Sequence, residues 1–307
     1  MAITLAADHE YAATYIANGT VRVKGFDVQP VWPEKGAGAM YGQVFKEPQY
    51  DVVLLPLTNF LIAMDKGVPI TGIPVFPDVF FPHLGAQVNK QAGIHTPKDL
   101  EGKRVGIRGY GFNPATWLRG ALADVYGVDL RKITWVEAEP NSLMSVDYPR
   151  GTGFKVEKGG DQTKELESGE LDAVFYDRVG PALTANTARL FDDPLGAAKE
   201  YYAKTGVFPV NVVLAAKNET LAANPGLGQA VVDASDEARD LYYKNVKQDD
   251  SHMGFPIWWL RDNGLFPHRN GLQANYKALE AIIRYSRDAG IIQRDFKPED
   301  VFFKGAK

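Results

Sequence analysis

The feature that most limits how this chain can fold is a compact apolar run, Val52-Val53-Leu54-Leu55-Pro56-Leu57. A strand with one face in water alternates apolar and polar residues, and this run does not alternate. It is typical of a strand buried on both faces within a parallel sheet. Thr58 and Asn59 follow directly and are predicted to cap a helix that runs to residue 64. The run therefore predicts an α/β fold.

The same strand and helix alternation returns in the middle of the chain. Residues 104–107 and 133–136 are predicted strands, and between them a helix over residues 114–126 begins at a proline and ends before Gly127. Residues 161–168 and 172–176 predict one more helix and one more strand. This order is typical of βαβ units.

The length of 307 residues exceeds the ~100–200 residues typical of one domain, so two lobes are expected. The stretch 73–88 is rich in proline, phenylalanine and valine and is predicted to cross between the lobes as extended chain. Strand-like residues 208–216 would return the chain to the first lobe. One predicted lobe is discontinuous and comprises residues 1–85 and 210–307, and the other comprises residues 86–209. The predicted crossing strands lie near 75–88 and 205–216. Residues 141–160 predict an irregular excursion, and residues 274–289 a helix with a periodic apolar face.

Composition excludes several classes of function. The net charge is -4 and no Lys/Arg run is present, which argues against nucleic acid and anionic membrane surfaces as partners. The chain contains no cysteine, and no apolar stretch approaches the length of a membrane span. The first residues read as a strand and not as a signal peptide, so a cytoplasmic location is expected, or a periplasmic one if a leader has been removed.

Several stretches, read together, resemble one known family. They are Tyr50-Asp51-Val52-Val53-Leu54-Leu55-Pro56-Leu57-Thr58-Asn59-Phe60, Gly72-Ile73-Pro74-Val75-Phe76-Pro77, residues 97–107, Trp117-Leu118-Arg119-Gly120, Gly169-Glu170-Leu171-Asp172-Ala173-Val174, Arg189-Leu190-Phe191 and residues 201–209. The chain resembles the 4,5-dihydroxyphthalate decarboxylase family, a branch of the type 2 periplasmic-binding-protein superfamily. The pieces over 99–106 and 169–174 occur throughout that superfamily, whereas the Tyr-Tyr-x-x-Thr-Gly-x-Phe-Pro stretch at 201–209 is more particular to the decarboxylase branch.

The resemblance implies two Rossmann-like lobes with a ligand cleft between them. It implies a non-oxidative decarboxylase of a hydroxylated, phthalate-like aromatic acid, and a solute-binding protein of an ABC-type transporter or a ligand sensor is the alternative. A small aromatic or carboxylate ligand is expected in either case, and a homo-oligomer remains open. Phosphate-loop and dinucleotide motifs are absent from the sequence, so no cofactor is expected.

The sequence departs from the family pattern at two places. The family's Phe-Arg-His-Ser reads Phe81-Pro82-His83-Leu84 here, and its Ile-Met-His after Phe-Pro reads Val210-Asn211-Val212. An expected Asp-Tyr-Asp near the N-terminus is matched only loosely by Asp8-His9-Glu10-Tyr11. These changes fall where substrate or catalytic groups are expected, and they indicate that the substrate or the activity has changed.

The turn after the strand 104–107 is the first predicted ligand site. Arg108, Gly109, Tyr110 and Asn113 surround a glycine turn at a helix start, where backbone N–H groups suit a carboxylate and Tyr110 could stack on an aromatic acid. An ordinary tight turn is the alternative. Arg119, further along that helix, could clamp a carboxylate or form a structural ion pair.

Other predicted substrate-binding residues also follow strands. Asp177 and Arg178 follow the strand 172–176, where open α/β sheets bind ligands, with a structural salt bridge as the alternative. Thr58 and Asn59 could serve a ligand oxygen as well as a helix cap. Asn211 is included because it stands in the changed stretch after Phe-Pro.

Histidines are the predicted proton donors because they titrate near neutral pH. His83 and His9 are the predicted catalytic residues, and His268 is a predicted substrate contact. Trp258, Trp259 and Phe266 could form an aromatic wall or lid near His252 and His268. No metal-binding spacing is present, so no metal is predicted; a divalent ion would need dispersed ligands such as His9, His83 and His268.

Overall fold

The computed structural model describes residues 2–7, 11–32, 49–138 and 152–306, and these contain two main β-sheets. The first sheet has the strand order β2-β1-β3-β11-β4, with β1 parallel to β2 and β3 and with β11 antiparallel to β3 and β4. Its strands are β1 (Ile3–Ala6), β2 (Val28–Val31), β3 (Val52–Pro56), β4 (Ile70–Ile73) and β11 (Val212–Lys217). The apolar run is therefore a buried central strand, as predicted, but the sheet is mixed and not parallel, because the returning strand β11 pairs antiparallel with β3.

The second sheet has the order β10-β5-β9-β6-β7-β8, in which β9, β6, β7 and β8 run parallel and β5 pairs antiparallel with β9 and β10. Its strands are β5 (Ala86–Asn89), β6 (Arg104–Ile107), β7 (Thr134–Glu137), β8 (Lys155–Lys158), β9 (Ala173–Phe175) and β10 (Thr187–Arg189). The first sheet thus draws strands from two separated parts of the chain and the second from the part between them. The exact lobe boundaries stay a prediction.

Helices cover both sheets. They are α1 (Ala13–Ala17), α2 (Leu57–Asp65), α3 (Asn113–Tyr126), α4 (Gln162–Ser168), α5 (Pro194–Thr205), α6 (Asn218–Ala223), α7 (Leu227–Asn245), α8 (Ile257–Asp262), α9 (Tyr276–Asp288) and α10 (Pro298–Val301). A short hairpin of β12 (Ser251–His252) and β13 (Phe255–Pro256) lies outside both sheets. The predicted helix end at Gly127 is confirmed, since that residue has a left-handed φ of 62°.

Three local predictions are wrong. Thr58 and Asn59 do not cap α2: Pro56 is the N-cap, and both side chains lie in the first turn of the helix. His83 does not lie on extended chain but in a 3-10 turn, Pro82–Gly85. Part of the predicted irregular excursion is the strand β8, because Lys155–Lys158 pairs in register with β7; residues 139–151 lie outside the described part of the chain.

The two segments that connect the sheets pair with each other. Val79 and Val210 form an antiparallel bridge, and the Asn211 N–H donates to Asp78 O at 2.8 Å. The Leu57 N–H donates to Asn211 O at 2.9 Å, which ties the same segment to the start of α2. The side chains near this junction are therefore held by a hydrogen-bonded backbone.

Helix α9 packs across α3 of the second sheet. Gly120 allows this close approach, because a Cβ at that position would lie 2.2 Å from the Tyr285 ring. The Tyr285 hydroxyl donates to Asp124 at 2.6 Å, and the ring meets Trp117 edge-on. Helix α9 therefore connects the two halves of the molecule through packing and hydrogen bonds.

Within the described residues, no helix combines the length and the apolar character needed to cross a membrane.

Candidate functional site

Three predicted ligand contacts meet at the junction of the two sheets, where they bond to one another. The Thr58 N–H donates to Asn113 Oδ1 at 3.1 Å, and Asn113 Nδ2 donates to Asn211 Oδ1 at 2.9 Å. Asn211 Nδ2 in turn donates to Phe80 O at 3.1 Å. All three side chains are buried. We call Thr58, Asn113 and Asn211 the amide chain. It links α2, α3 and both connecting segments, and ligand contact by its members stays a prediction.

Most backbone hydrogen-bonding groups of the glycine turn before α3 are also bonded to other groups of the protein. The Tyr110 N–H donates to the Glu137 carboxylate at 2.5 Å, and the Phe112 N–H donates to Gly109 O at 2.9 Å. Gly111 O accepts from the Thr58 hydroxyl at 2.8 Å. The expectation that these N–H groups stand ready for a ligand carboxylate is therefore wrong for Tyr110 and Phe112. The carboxylate at this turn is the protein's own Glu137, whose pKa is raised by its burial.

Tyr110 and Arg119 lie behind that turn in the core. The Tyr110 ring is 1% exposed, and its hydroxyl donates to Ala289 O at 2.9 Å. The Arg119 guanidinium lies 4.4 Å from the centre of the Tyr110 ring and donates to Tyr110 O at 2.7 Å. Both side chains brace the turn in this structure. Asn59 differs, since its buried amide has no hydrogen-bond partner among the described residues.

A cluster of charges forms where the parallel strands β6 and β9 end, the place at which the sequence predicts ligand contacts. Arg178 contacts Asp78 at 3.5 Å, with the carboxylate mostly buried and the guanidinium partly exposed. The positive charges of Arg178 and Arg108 both act on the Asp177 carboxylate. The structure therefore brings together the predicted residues Arg108, Asp177 and Arg178, and it adds Asp78 from the connecting segment.

His83, the first predicted proton donor, is enclosed in an aromatic cluster. Its ring is 0% exposed and lies between Phe81, Phe191 and Tyr201, with ring centroids 5.0–6.2 Å away. Neither ring nitrogen has a hydrogen-bond partner among the described residues. Burial alone lowers the pKa of His83 to about 3. His9 lies outside the described residues, so its predicted role is not addressed by the structure.

A pocket opens on the first sheet, between that sheet, α1 and α7. Its apolar walls include Leu5, Ile16, Pro30, Val31, Val75, Phe76, Val79 and Leu214, and its polar and aromatic lining includes Tyr11, Arg239, Tyr242, Tyr243, His252, His268 and Asn270. Ala7 and Tyr11, which flank residues 8–10, both line it. We call it the aromatic–histidine pocket. Its cavity volume is only about 60 Å³, so an aromatic ring enters only if lining side chains move. The lining itself has the character of a small-molecule site, since a mostly apolar surface carries a few convergent polar groups.

His252 is the most enclosed titratable group of this pocket. The Tyr11 ring meets it edge-on with centroids 4.6 Å apart, and its Nδ1 has no hydrogen-bond partner among the described residues. Burial, together with the charges of His268 and Arg178, lowers the pKa of His252 to about 3. Burial likewise lowers the pKa of His268 to about 4, although a hydrogen bond to Asn275 acts in the opposite direction. Both imidazoles are therefore neutral near pH 7 in the unliganded protein.

The aromatic–histidine pocket and the charge cluster are neighbours. Pro77 and Val79 line the pocket, and Asp78 between them pairs with Arg178. The β12–β13 hairpin, which carries His252, also touches the second half of the molecule: a Cβ on Gly254 would lie 2.8 Å from Val179. Gly254 also has a φ of +87°, so a glycine is favoured there for two reasons.

Among the described residues, no group of three or more His, Cys, Asp or Glu side chains is arranged to hold a metal ion. His83 and His268, two of the dispersed candidates, lie in separate environments: the aromatic cluster and the pocket.

Sequence reasoning included His268 but missed most of the pocket. Tyr11, Arg239 and Tyr242 come from α7 and from the chain before α1, which join only after folding. Trp258 is 42% exposed, and Trp259 packs on Phe81 and Phe255 in the core. The aromatic residues that line the pocket are thus mainly tyrosines and not the predicted Trp258, Trp259 and Phe266. One available signal was the Tyr242-Tyr243 pair at the end of an amphipathic helix.

Comparisons with known proteins agree with this picture. A family model described as NMT1/THI5 like matches residues 22–147. The 4,5-dihydroxyphthalate decarboxylase of Comamonas testosteroni is 29% identical over 309 residues, covering 94% of this chain and 92% of that protein. The enzyme of the same name from Pseudomonas putida is 28% identical over 197 residues, covering 61% of this chain and 76% of the relative.

Among solved structures, the periplasmic aliphatic sulphonate binding protein SsuA from Escherichia coli superposes with a TM-score of 0.57. It is 13% identical and the match covers 99% of this chain and 97% of that one, so the likeness concerns the fold alone. The resemblance read from the sequence is confirmed: this chain is related to 4,5-dihydroxyphthalate decarboxylases over nearly its whole length and has the two-lobed fold of periplasmic solute-binding proteins.

Proposed function

We propose that this protein is a non-oxidative decarboxylase of a hydroxylated aromatic carboxylic acid, with the substrate ring in the aromatic–histidine pocket. The observation that carries the proposal is the pocket itself, in which two neutral histidines stand among tyrosines beside the cations of the interlobe charge cluster. The relatedness to two proteins named 4,5-dihydroxyphthalate decarboxylase supports the same reaction type.

The pocket walls suit an aromatic ring. Phe76 and Val79 give apolar surface, while Tyr11 and Tyr242 can meet a ring face or edge and also present hydroxyl groups. A carboxylate bonded to the ring loses its hydration in such a site. Loss of CO₂ is favoured there because the product is neutral and the reacting carboxylate is charged.

Arg178 is the proposed anchor for a substrate carboxylate. Its contact with Asp78 is long, at 3.5 Å, and its guanidinium is partly exposed while the partner carboxylate is mostly buried. A substrate carboxylate can approach the exposed side of the guanidinium, where charge-assisted hydrogen bonds are strong and directional. Arg108 adds a second positive charge near the same point.

His252 is the proposed proton donor to the ring carbon that loses CO₂. An anionic substrate next to it stabilises the imidazolium, so its pKa rises on binding from the low value of the empty pocket. The low intrinsic pKa then favours release of that proton to carbon. Nδ1 is buried and has no hydrogen-bond partner among the described residues, so Nε2 is the nitrogen proposed to carry the proton to the ring carbon.

The test is turnover of 4,5-dihydroxyphthalate and of mono- and dihydroxybenzoates by the purified protein, with and without divalent metal, following CO₂ and product by chromatography. We expect turnover without metal by the wild type and by the control His95→Asn, whose histidine is exposed, and a large loss in His252→Asn. Equal rates in His252→Asn and His95→Asn would contradict the role of His252.

The second candidate is a solute-binding protein, which the fold shared with SsuA favours. It needs the same anchor and aromatic walls but no proton donor. Binding of the aromatic acids can be measured by calorimetry. If they bind and none of them releases CO₂, the protein is a solute-binding protein and the decarboxylase proposal is rejected.

A further inference from the structure

We infer that His268 is the base that takes the proton from the substrate's ring hydroxyl, and that Asn275 is the positioning residue that fixes which nitrogen of His268 does so. The inference rests on the proposed function. The two side chains meet through a hydrogen bond of 2.8 Å between His268 Nε2 and Asn275 Oδ1.

The orientation of the Asn275 amide follows from its other partners. Asn275 Nδ2 donates to Arg269 O and to Gly271 O, both at 2.9 Å. An amide NH₂ has two protons, so both are used. The side-chain oxygen must then face His268, and it can only accept. His268 therefore carries its proton on Nε2.

This assignment leaves Nδ1 of His268 with a free lone pair, which is the property a general base requires. The ring borders the aromatic–histidine pocket. The residue is also held through its backbone, because the Tyr243 hydroxyl donates to His268 O at 3.1 Å. Asn275 is buried, so the bond that fixes the tautomer is shielded from water.

The charged and titratable groups around His268 come from three elements. Arg239 and Tyr243 face it from α7, and His252 faces it from the hairpin. Lys277 of α9 shares a neighbouring groove with it. Arg239 is itself paired with Asp236 at 2.7 Å and with Asp240 at 2.9 Å, so its charge is largely compensated.

The two histidines divide the proton transfers between them. The ring O–H bond breaks and its proton goes to His268 Nδ1, while the oxygen electrons move through the ring to the carbon that bears CO₂⁻. That carbon forms a C–H bond with the proton of His252, the C–C bond breaks, and its electron pair restores the aromatic ring. His268 returns its proton to the oxygen, and His252 takes up one proton from the solvent. The sum is ArCO₂⁻ + H⁺ → ArH + CO₂.

The electrostatic coupling between the two rings supports this order. Charge on His268 lowers the pKa of His252. When His268 accepts the phenolic proton, His252 is therefore driven to release its own. The pair holds one positive charge before and after the transfer.

The experiment compares wild type, Asn275→Asp, Asn275→Leu and His268→Asn. Asp keeps the shape of Asn, accepts from Nε2–H and adds a negative charge, so it raises the pKa of His268. We expect the acidic limb of the kcat/KM profile to move up by about one pH unit in Asn275→Asp. We expect His268→Asn to lose about 10²–10⁴-fold in kcat, and to lose less on a ring-fluorinated substrate whose hydroxyl is more acidic. Superimposable pH profiles for wild type and Asn275→Asp would overturn the inference.

A second readout does not depend on turnover. In ¹⁵N-histidine-labelled protein, NMR should show the Nε2–H tautomer of His268 in wild type and a mixture of tautomers in Asn275→Leu, and 3,4-dihydroxybenzoate should shift the Nδ1 resonance. An Nδ1–H tautomer in wild type, or an Nδ1 resonance unchanged at saturation, would overturn the inference even if the protein turns over an acid. If the NMR result is as expected but no acid is turned over, the decarboxylase proposal fails and the tautomer assignment stands.

Discussion

The lobe junction and the aromatic–histidine pocket each hold polar side chains and a buried histidine, but they use them in opposite ways. At the junction, the polar groups of Thr58, Asn113 and Asn211 bond to one another, and His83 on the adjacent connecting segment is closed in by aromatic rings. In the pocket, His252 and His268 line an open space. Burial lowers the pKa of the histidine in both regions.

The two regions together show that a lowered pKa does not by itself identify a catalytic histidine. Burial is the main cause that lowers the pKa of both His83 and His252 to about 3, yet of the two only His252 borders the pocket. Access to a reacting atom is the property that separates them.

The largest effect is expected when each histidine is replaced in turn, which tests whether only the pocket histidine takes part in catalysis. We expect His252→Asn to lower kcat about 10³-fold, because a general acid contributes about 10²–10⁴-fold. His83→Leu should stay within about twofold of wild type, since its ring touches aromatic core residues. Steady-state turnover of one hydroxybenzoate measures both. A collapse of kcat in His83→Leu, with the fold intact by circular dichroism, would reverse the assignment.

A smaller effect is expected from opening the amide chain. Asn113→Ala leaves the Thr58 N–H and the Asn211 side-chain oxygen without partners, and each unsatisfied buried group costs about 1–3 kcal/mol. The free energy of unfolding in urea should fall by about 3 kcal/mol, with KM nearly unchanged. A large rise in KM with little loss of stability would instead assign Asn113 to the ligand, as the sequence predicts.

Acid denaturation measures whether His83 is neutral in the folded protein. The unfolded chain binds a proton at His83 near its usual pKa of 6.5, whereas the folded chain does so only near pH 3. The stabilising contribution of neutral His83 is complete above about pH 6.5 and is lost as the pH falls toward 3, by about 1.4 kcal/mol per unit. His83→Leu should therefore gain about 2 kcal/mol relative to wild type between pH 7 and pH 5. Parallel stability profiles of the two proteins would show that His83 is protonated in the fold.

The smallest expected effect is at the pocket wall. Tyr11→Leu removes the ring that meets His252 edge-on, and an aromatic contact of this kind is worth about 0.5–1.5 kcal/mol. KM for a hydroxybenzoate should rise by up to about tenfold, with kcat less affected. Tyr15→Leu is the matched control, since Tyr15 bonds to Asn245 instead. Equal KM values for the two variants would place the substrate elsewhere.

The sequence predicted the sheets better than the site. The uninterrupted run at β3 and the glycine at the end of α3 are local signals, and both elements formed as expected. The parallel neighbours β6 and β9 likewise brought Arg108, Asp177 and Arg178 together. These outcomes follow from rules of strand order that short stretches of sequence already obey.

Side-chain partners were harder to predict because they depend on distant parts of the chain. Nothing near Tyr110 in sequence indicates that the Glu137 carboxylate accepts a hydrogen bond from its N–H or that Ala289 O accepts one from its hydroxyl. The pocket joins Tyr11 with Tyr242 and His252, which are separated by more than two hundred residues. His83 was predicted to be catalytic because it matches a histidine of the family pattern. The enclosure of its ring by aromatic residues is visible only in the folded structure.

The β12–β13 hairpin has a consequence for selectivity. Its Gly254 lies against Val179 of the other lobe, and His252 stands two residues before it. Because His252 and the pocket walls lie on the same lobe, a ligand bulky enough to keep the lobes apart would leave that histidine beside the ring but would separate both from the Arg178 anchor. Such a compound could still occupy the aromatic walls as an inhibitor. Discrimination between acids of different size would then be seen in affinity as well as in kcat, because the anchoring cation and the proton donor come together only around a substrate that lets the lobes approach.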